Sequence, residues 1–189
     1  MNIPPRFVAI GEAMVEMAPS GADGNFKMGF AGDTLNTAWY MRRALPQAWQ
    51  VDYLTALGTD GVSDNMVGFL KEAGIGTDHI ARLSGRTVGL YLIELKDGER
   101  SFAYWRGQSA ARLLAADAAR LQAGLTGAGV ILLTGITLAI LESADRETLY
   151  AALANARAMG AQVVFDPNLR PKLWPDAETM CRVIMEAAA

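Results

Sequence analysis

Apolar and polar positions along this chain follow two rhythms, and the switches between them mark out the elements. Short, nearly unbroken apolar runs at Phe7-Val-Ala-Ile10, Val51 to Leu57, Val130 to Leu133 and Gln162 to Phe165 read as buried strands. Between them lie stretches with helical spacing. Asp33 or Thr34 can cap a helix that runs to about Leu45 and stops at Pro46. Ser63 can cap an amphipathic helix with Met66, Val67 and Leu70 inward, ending at Gly74. Further helices are predicted over Ala110 to Leu125, over Ala144 to Met159 with Gly160 ending it, and over Pro175 to Ala187 with proline in the first turn. Strands separated by helices predict βαβ units and a mainly parallel sheet.

Two segments break that alternation. Asn25 to Phe30 is a weaker strand between glycines, and residues 87 to 106 read as a β-hairpin. Thr87 to Leu95 and Ser101 to Arg106 are β-branched, aromatic and apolar, and Lys96-Asp97-Gly98-Glu99 between them suits a two-residue type I′ turn. That turn sets Lys96 opposite Glu99 and, counting back, Tyr91 opposite Tyr104. Alternation then puts Tyr91, Ile93, Phe102, Tyr104 and Arg106 on one face and Leu90, Leu92, Ala103 and Trp105 on the other. Two readings of the first face stay open: a seat for a polar, anionic ligand, or a core face with Arg106 at its solvated end. Together these segments look like a small antiparallel sheet inserted at the edge of an α/β domain.

Composition narrows the setting. The chain has 189 residues, 51% hydrophobic and 20% charged, enough for a sizeable core. A formal charge of −3 without a lysine–arginine cluster argues against nucleic acid. The single cysteine, Cys181, makes no internal disulfide, which suits a reducing cytosol. The N-terminal apolar run is broken by Glu12 and Glu16, unlike a signal peptide, and the stretch Val130 to Leu141 is too short to span a bilayer. A soluble, cytoplasmic protein is expected. No lysine follows a glycine, so the P-loop is absent. His79 is the only histidine, which excludes multi-histidine metal sites, and Gly61-Val-Ser-Asp-Asn65 is no serine-hydrolase elbow. Gly127-Ala-Gly129 precedes its strand and reads as a turn.

Three segments carry polar groups to strand ends. Ala31-Gly32-Asp33-Thr34-Leu35-Asn36 offers free N–H groups at a helix start, although taken alone a plain N-cap explains it better. Asp166-Pro-Asn-Leu-Arg170 follows a buried strand, where parallel sheets bind ligands, although it is also good turn chemistry. The hairpin face is the third.

Together with Gly11-Glu12-Ala-Met-Val-Glu16, Leu57-Gly-Thr-Asp-Gly61 and Gly89-Leu-Tyr91, these segments resemble the ribokinase-like (PfkB) carbohydrate kinases. Tyr104-Trp-Arg106 and Asp166-Pro-Asn-Leu-Arg170 bring the resemblance closest to the 2-keto-3-deoxygluconate kinases. It implies an αβα sandwich with a mainly parallel sheet and a small antiparallel β lid, the lid strands lying near 12–18, 25–31 and 87–106. It implies that the sugar acid is held by Gly32, Asp33, Thr34, Leu35 and Asn36, with Tyr91, Tyr104, Trp105 and Arg106 on the lid strand pair and Arg170 below. Asn168, Leu169 and Arg170 would flank ATP, with Mg²⁺ on its phosphates, and Arg106 with Arg170 would give the acid specificity by bidentate pairing. A homodimer through the lids is implied as well, the apolar outer face of the hairpin supplying the contact.

One feature departs from the family pattern. Such kinases carry the catalytic base in a Gly-Ala-Gly-Asp motif, and this sequence contains none before it stops at Ala189 inside a predicted helix. The resemblance therefore implies that residues 1–189 form a partial ribokinase-like domain, the first two-thirds of a kinase, with its base beyond Ala189. The alternatives are a fructokinase- or ribokinase-type enzyme for a neutral sugar and a catalytically dead sugar-acid-binding or dimerisation module.

Overall fold

A computed structural model describes residues 4–21, 24–96 and 99–189. The four apolar runs form the middle layer: β1 (Arg6–Ile10), β4 (Gln50–Leu54), β9 (Val130–Thr134) and β10 (Gln162–Asp166) pair in the order β10-β9-β1-β4, and each pair is parallel. Because side chains alternate along β1, Val8 and Ile10 enter one core while Phe7 and Ala9 enter another. On the first side lie Leu121 of α3 (Ala118–Leu125), Leu138 of α4 (Gly135–Ile140), Leu149 of α5 (Ser143–Ala158) and Val183 of α6 (Ala177–Ala188). On the second lie Leu35 of α1 (Asp33–Ala44) and Leu70 of α2 (Gly61–Glu72). Strands covered on both faces explain why their sequences run apolar without alternation.

A second sheet has the order β3-β2-β7-β8, built from β2 (Met14–Pro19), β3 (Phe26–Ala31), β7 (Gly89–Lys96) and β8 (Glu99–Trp105). Lys96 pairs with Glu99 and Tyr91 with Tyr104, the register that the turn length requires. The Asp97-Gly98 turn itself lies outside the described residues. The sheet is mixed and not purely antiparallel, because β2 and β7 run parallel, Met14 beside Gly89. Hydrogen bonding there joins the hairpin to the segment that follows β1.

Elsewhere local polar groups redraw the elements. The run expected over 51–57 splits at Thr55, so that β5 (Ala56–Gly58) can pair with β6 (Ala81–Leu83), a strand too short to betray alternation. The helix expected over 110–125 is a 3₁₀ turn at Ala110–Leu113 followed by α3, because Ser109 caps the first piece and Asp117 the second. Thr134 and Thr137 form a reciprocal cap that starts α4, which no periodicity foretold. Asp176, not Pro175, opens α6, and Gly32 precedes α1 without a side-chain cap. At the amino ends of the strands, Arg6 bonds through all three of its nitrogens: Nε donates to Asp52 at 2.6 Å, and Nη1 and Nη2 to the carbonyls of Thr126 and Gly124 at the end of α3.

The cap of α2 is Asp60 instead of Ser63. Its Oδ1 accepts from the Val62 and Ser63 amides at 3.1 and 3.0 Å, and its Oδ2 from the Ser63 hydroxyl at 3.0 Å. Burial favours the neutral acid, but the bonds from Ser63 outweigh it and hold Asp60 below its ordinary value of 3.8. A carboxyl lowered on folding stabilises the protein fully above the unfolded value and loses that contribution as pH falls through the folded one. Asp60→Ala should cost about 0.5–2 kcal/mol at neutral pH. Urea unfolding should give a difference that shrinks on acidification; a gap that widened would show that the cap does not act through its charge.

Candidate functional site

Because β1, β9 and β10 are parallel, the segments that leave them emerge at one end of the sheet: Gly11-Glu12-Ala13, Thr134 with α4, and Pro167 to Arg170. The first turn of α1 reaches the same place. Gly32 there has extended backbone, and a Cβ would run into the carbonyl oxygen of Glu12, so only glycine lets the helix start approach the β1–β2 link this closely.

Asp33 ties these segments together. Its Oδ1 accepts from the Thr34 amide at 2.8 Å, while its Oδ2 accepts from the Thr134 hydroxyl at 2.7 Å and from Asn168 Nδ2 at 2.8 Å. Asn168 holds a positive φ of 33°, which asparagine tolerates better than most residues, and its amide donates to Asp166 Oδ1 at 3.0 Å. The resulting bend carries Arg170 and the 3₁₀ turn Pro171–Leu173 over the sheet end.

The second sheet supplies the opposite wall. Tyr91, Phe102 and Tyr104 cluster with ring centroids about 6 Å apart. The Tyr91 hydroxyl donates to Glu16 Oε2, and burial together with that bond pushes its ionisation well above the ordinary phenol value. Beyond Tyr104 the chain brings Arg106 inward, where Nη2 pairs with Oε2 of Glu12. This pair is largely out of water, the side chains being 12% and 1% exposed. The other carboxylate oxygen of Glu12 is buried without a hydrogen-bond partner among the described residues.

Between the walls lies a cavity of about 530 Å³ lined by Glu12, Met14, Gly32, Asp33, Tyr104, Arg106, Ile136, Arg170, Pro171, Lys172 and Leu173. Five of the residues singled out in the sequence, Gly32, Asp33, Tyr104, Arg106 and Arg170, therefore meet in one space. The others lie around it. Thr34 and Leu35 are buried beneath, the Thr34 hydroxyl 2.8 Å from that of Tyr53. Asn36 opens on a neighbouring groove beside Phe30, Trp39 and Phe69. Tyr91 stands directly across the strand pair from Tyr104, Leu169 is 51% exposed, and Trp105 faces away, as alternation beside Tyr104 demands. Glu12, Thr134 and Lys172 are the additions. A glutamate inside the apolar run Ile10 to Val15 and a second cation two residues after Arg170 were the signals available for two of them. Three cations face two carboxylates across the cavity, so it suits a ligand rich in oxygen and carrying negative charge.

A family model described as pfkB family carbohydrate kinase matches residues 5–189. The chain is 47% identical over 173 residues to the 2-dehydro-3-deoxygluconokinase of Dickeya dadantii (strain 3937), covering 89% of this chain and 55% of that protein. It thus spans little more than half the length of that relative. Among solved structures, the 2-dehydro-3-deoxygluconokinase of Thermotoga maritima is similar with a TM-score of 0.82 at 25% identity, over 97% of this chain and 56% of the other. A fructokinase from Xylella fastidiosa with bound ATP is similar with a TM-score of 0.81 at 28% identity, over 96% and 54%.

The threefold use of Asp33 has a consequence for stability. Asp33→Asn preserves size, but an amide has a single acceptor oxygen, so its NH₂ must face either the Thr34 amide or the Thr134–Asn168 donors. A loss of about 1.5–3 kcal/mol is expected in chemical denaturation of this chain, and an unchanged midpoint would mean that these bonds bear no weight.

Proposed function

We propose, because this chain belongs to the pfkB family of carbohydrate kinases, that the whole protein uses ATP to phosphorylate 2-keto-3-deoxygluconate at its terminal hydroxyl. The observation that carries the reading is the convergence of Asp33, Tyr104, Arg106 and Arg170, with Lys172, on one cavity at the carboxyl ends of parallel strands. Gly32 leaves backbone within reach of the sugar, the Tyr104 hydroxyl and the remaining N–H groups of Arg106 face it from the second sheet, and the latter meet its carboxylate. Arg170 stands where substrate and γ-phosphate come together, and Asn168 and Leu169 lie beside the nucleotide. Cationic donors at that place neutralise charge that develops during phosphoryl transfer. A group must also accept the proton of the attacking hydroxyl. Asp33 is already shared among three donors and Glu12 is paired with Arg106, so neither cavity carboxylate takes that part.

Magnesium enters with the nucleotide. Among the described residues no group of three or more His, Cys, Asp or Glu side chains could hold an ion. Magnesium commonly relies on phosphate oxygens and few protein ligands. Among the same residues no helix is long and apolar enough to cross a membrane, which accords with a cytoplasmic enzyme. The exposed side chain of Trp105, on the outer face of the hairpin, supports a homodimer in which two second sheets meet. Trp105→Glu should then yield monomers in sedimentation, and a monomeric whole protein at micromolar concentration would count against that contact.

The second reading, a fructokinase- or ribokinase-type kinase for a neutral sugar, gains from one observation: Glu12 already compensates Arg106. Binding separates the two. Titration calorimetry should find keto-deoxygluconate bound more tightly than fructose, and Arg106→Lys, which keeps charge but loses the fork, should weaken the acid about tenfold to a hundredfold. Fructose binding should change little. Equal losses for both ligands, or tighter binding of fructose, would move the neutral-sugar reading ahead.

A further inference from the structure

Glu12 is 3% exposed, in the link between the central strand of the parallel sheet and the first strand of the second sheet. Burying an ion pair gains little stability, since well-packed apolar residues of similar volume often do as well or better. A charge kept there beside a cavity therefore calls for another explanation. The geometry around it is specific. Oε2 takes Arg106 Nη2, and Oε1 has no partner among the described residues. Room for Oε1 exists because residue 89 is glycine: a Cβ at that position would lie 2.8 Å from Oε1 and 3.2 Å from Arg106 Cβ. The carbonyl oxygen of Glu12 would clash with a Cβ at Gly32. Glu12 thus touches the start of α1 with its backbone and the hairpin with its side chain.

We infer that Glu12 is a positioning residue for ligand recognition: it sets where the Arg106 guanidinium stands and cancels its charge, so that Arg106 reads the ligand by the direction of its remaining N–H groups. Among the described residues those groups have no other protein acceptor, and Arg106 lines the cavity. The net attraction for an anion then falls to Arg170 and Lys172 on the opposite wall. A pair held at one oxygen makes the length of the acid decisive. Aspartate, shorter by roughly 1.5 Å, keeps the charge and loses the reach. Glutamine keeps the reach and an acceptor oxygen and loses the charge.

This inference rests on the function proposed above, and the test separates the two. Calorimetric titration of 2-keto-3-deoxygluconate into the chain is compared for wild type, Glu12→Asp, Glu12→Gln and Gly89→Ala, each with a melting curve. Glu12→Asp should raise Kd about tenfold or more, and Gly89→Ala, which displaces the pair from behind, should act in the same direction. Glu12→Gln should bind the acid at least as tightly as wild type, with a steeper dependence on salt because Arg106 is no longer compensated. A purely structural Glu12 would move the melting temperatures and leave Kd unchanged, overturning the inference. So would Glu12→Gln losing as much affinity as Glu12→Asp, since the reach and acceptor oxygen that glutamine keeps would then not suffice to place Arg106. If Glu12→Asp does not fold, Gly89→Ala and Glu12→Gln decide by the same criteria. Wild type failing to bind the sugar acid would overturn the functional reading, and this inference with it.

Discussion

The carboxylate of Asp33 is the constraint on which the site depends. Three chain segments far apart in sequence must meet at the sheet end: the start of α1, the end of β9 and the bend after β10. Each brings a donor that would be left half-buried and unpaired without an acceptor, and one oxygen of Asp33 satisfies two of them. An ionised acceptor makes such bonds shorter and stronger than neutral ones. The left-handed backbone of Asn168 is held through this bond and through Asp166, so the path that carries Arg170 over the cavity is set by the first turn of a helix more than a hundred residues earlier.

Two arginines show how demands on the same side chain differ across the molecule. Arg6, at the amino ends of the strands, spends its guanidinium on Asp52 and on two carbonyls that close α3. Its work is to hold elements together. Arg106, near the other end, has a single protein acceptor among the described residues and lines the cavity. The Glu12–Arg106 pair, buried and incompletely paired, stands beside the cavity, whereas Arg6 with its three bonds stands away from it.

Much of this was legible in the residues because the relevant physics is local. A two-residue turn and the period-two alternation of a strand determine the hairpin register, and Tyr91 opposite Tyr104 follows from counting. Arg170 follows the end of a parallel strand, where ligand groups gather, and the resemblance to the pfkB kinases placed Gly32 and Asp33 with it, because these two follow β3 of the second sheet. The pairing of Arg106 with Glu12 could not, because 94 residues separate them and no spacing rule joins β2's approach to β8's exit. Asn36 and Asp33 lie on one helix, yet three residues of rotation turn Asn36 toward the Trp39 groove. The start of α2 is hidden for a similar reason: Asp60 and Ser63 both suit it, and only the hydrogen bonds reveal that Asp60 accepts from the first-turn amides.

The first nineteen residues hold strands of both sheets, and each waits for a distant partner. β1 needs β9, about 120 residues downstream, and β2 needs β7, about 75 downstream. At ribosomal speeds of roughly 5–20 residues per second, the opening segment spends many seconds with unpaired strand edges before those partners exist. Its early company is confined to β3 and β4, the nearest partners along the chain. Nascent chains of this design therefore offer chaperones a long window, one that closes only when β9 is made and the central strand is enclosed on both sides.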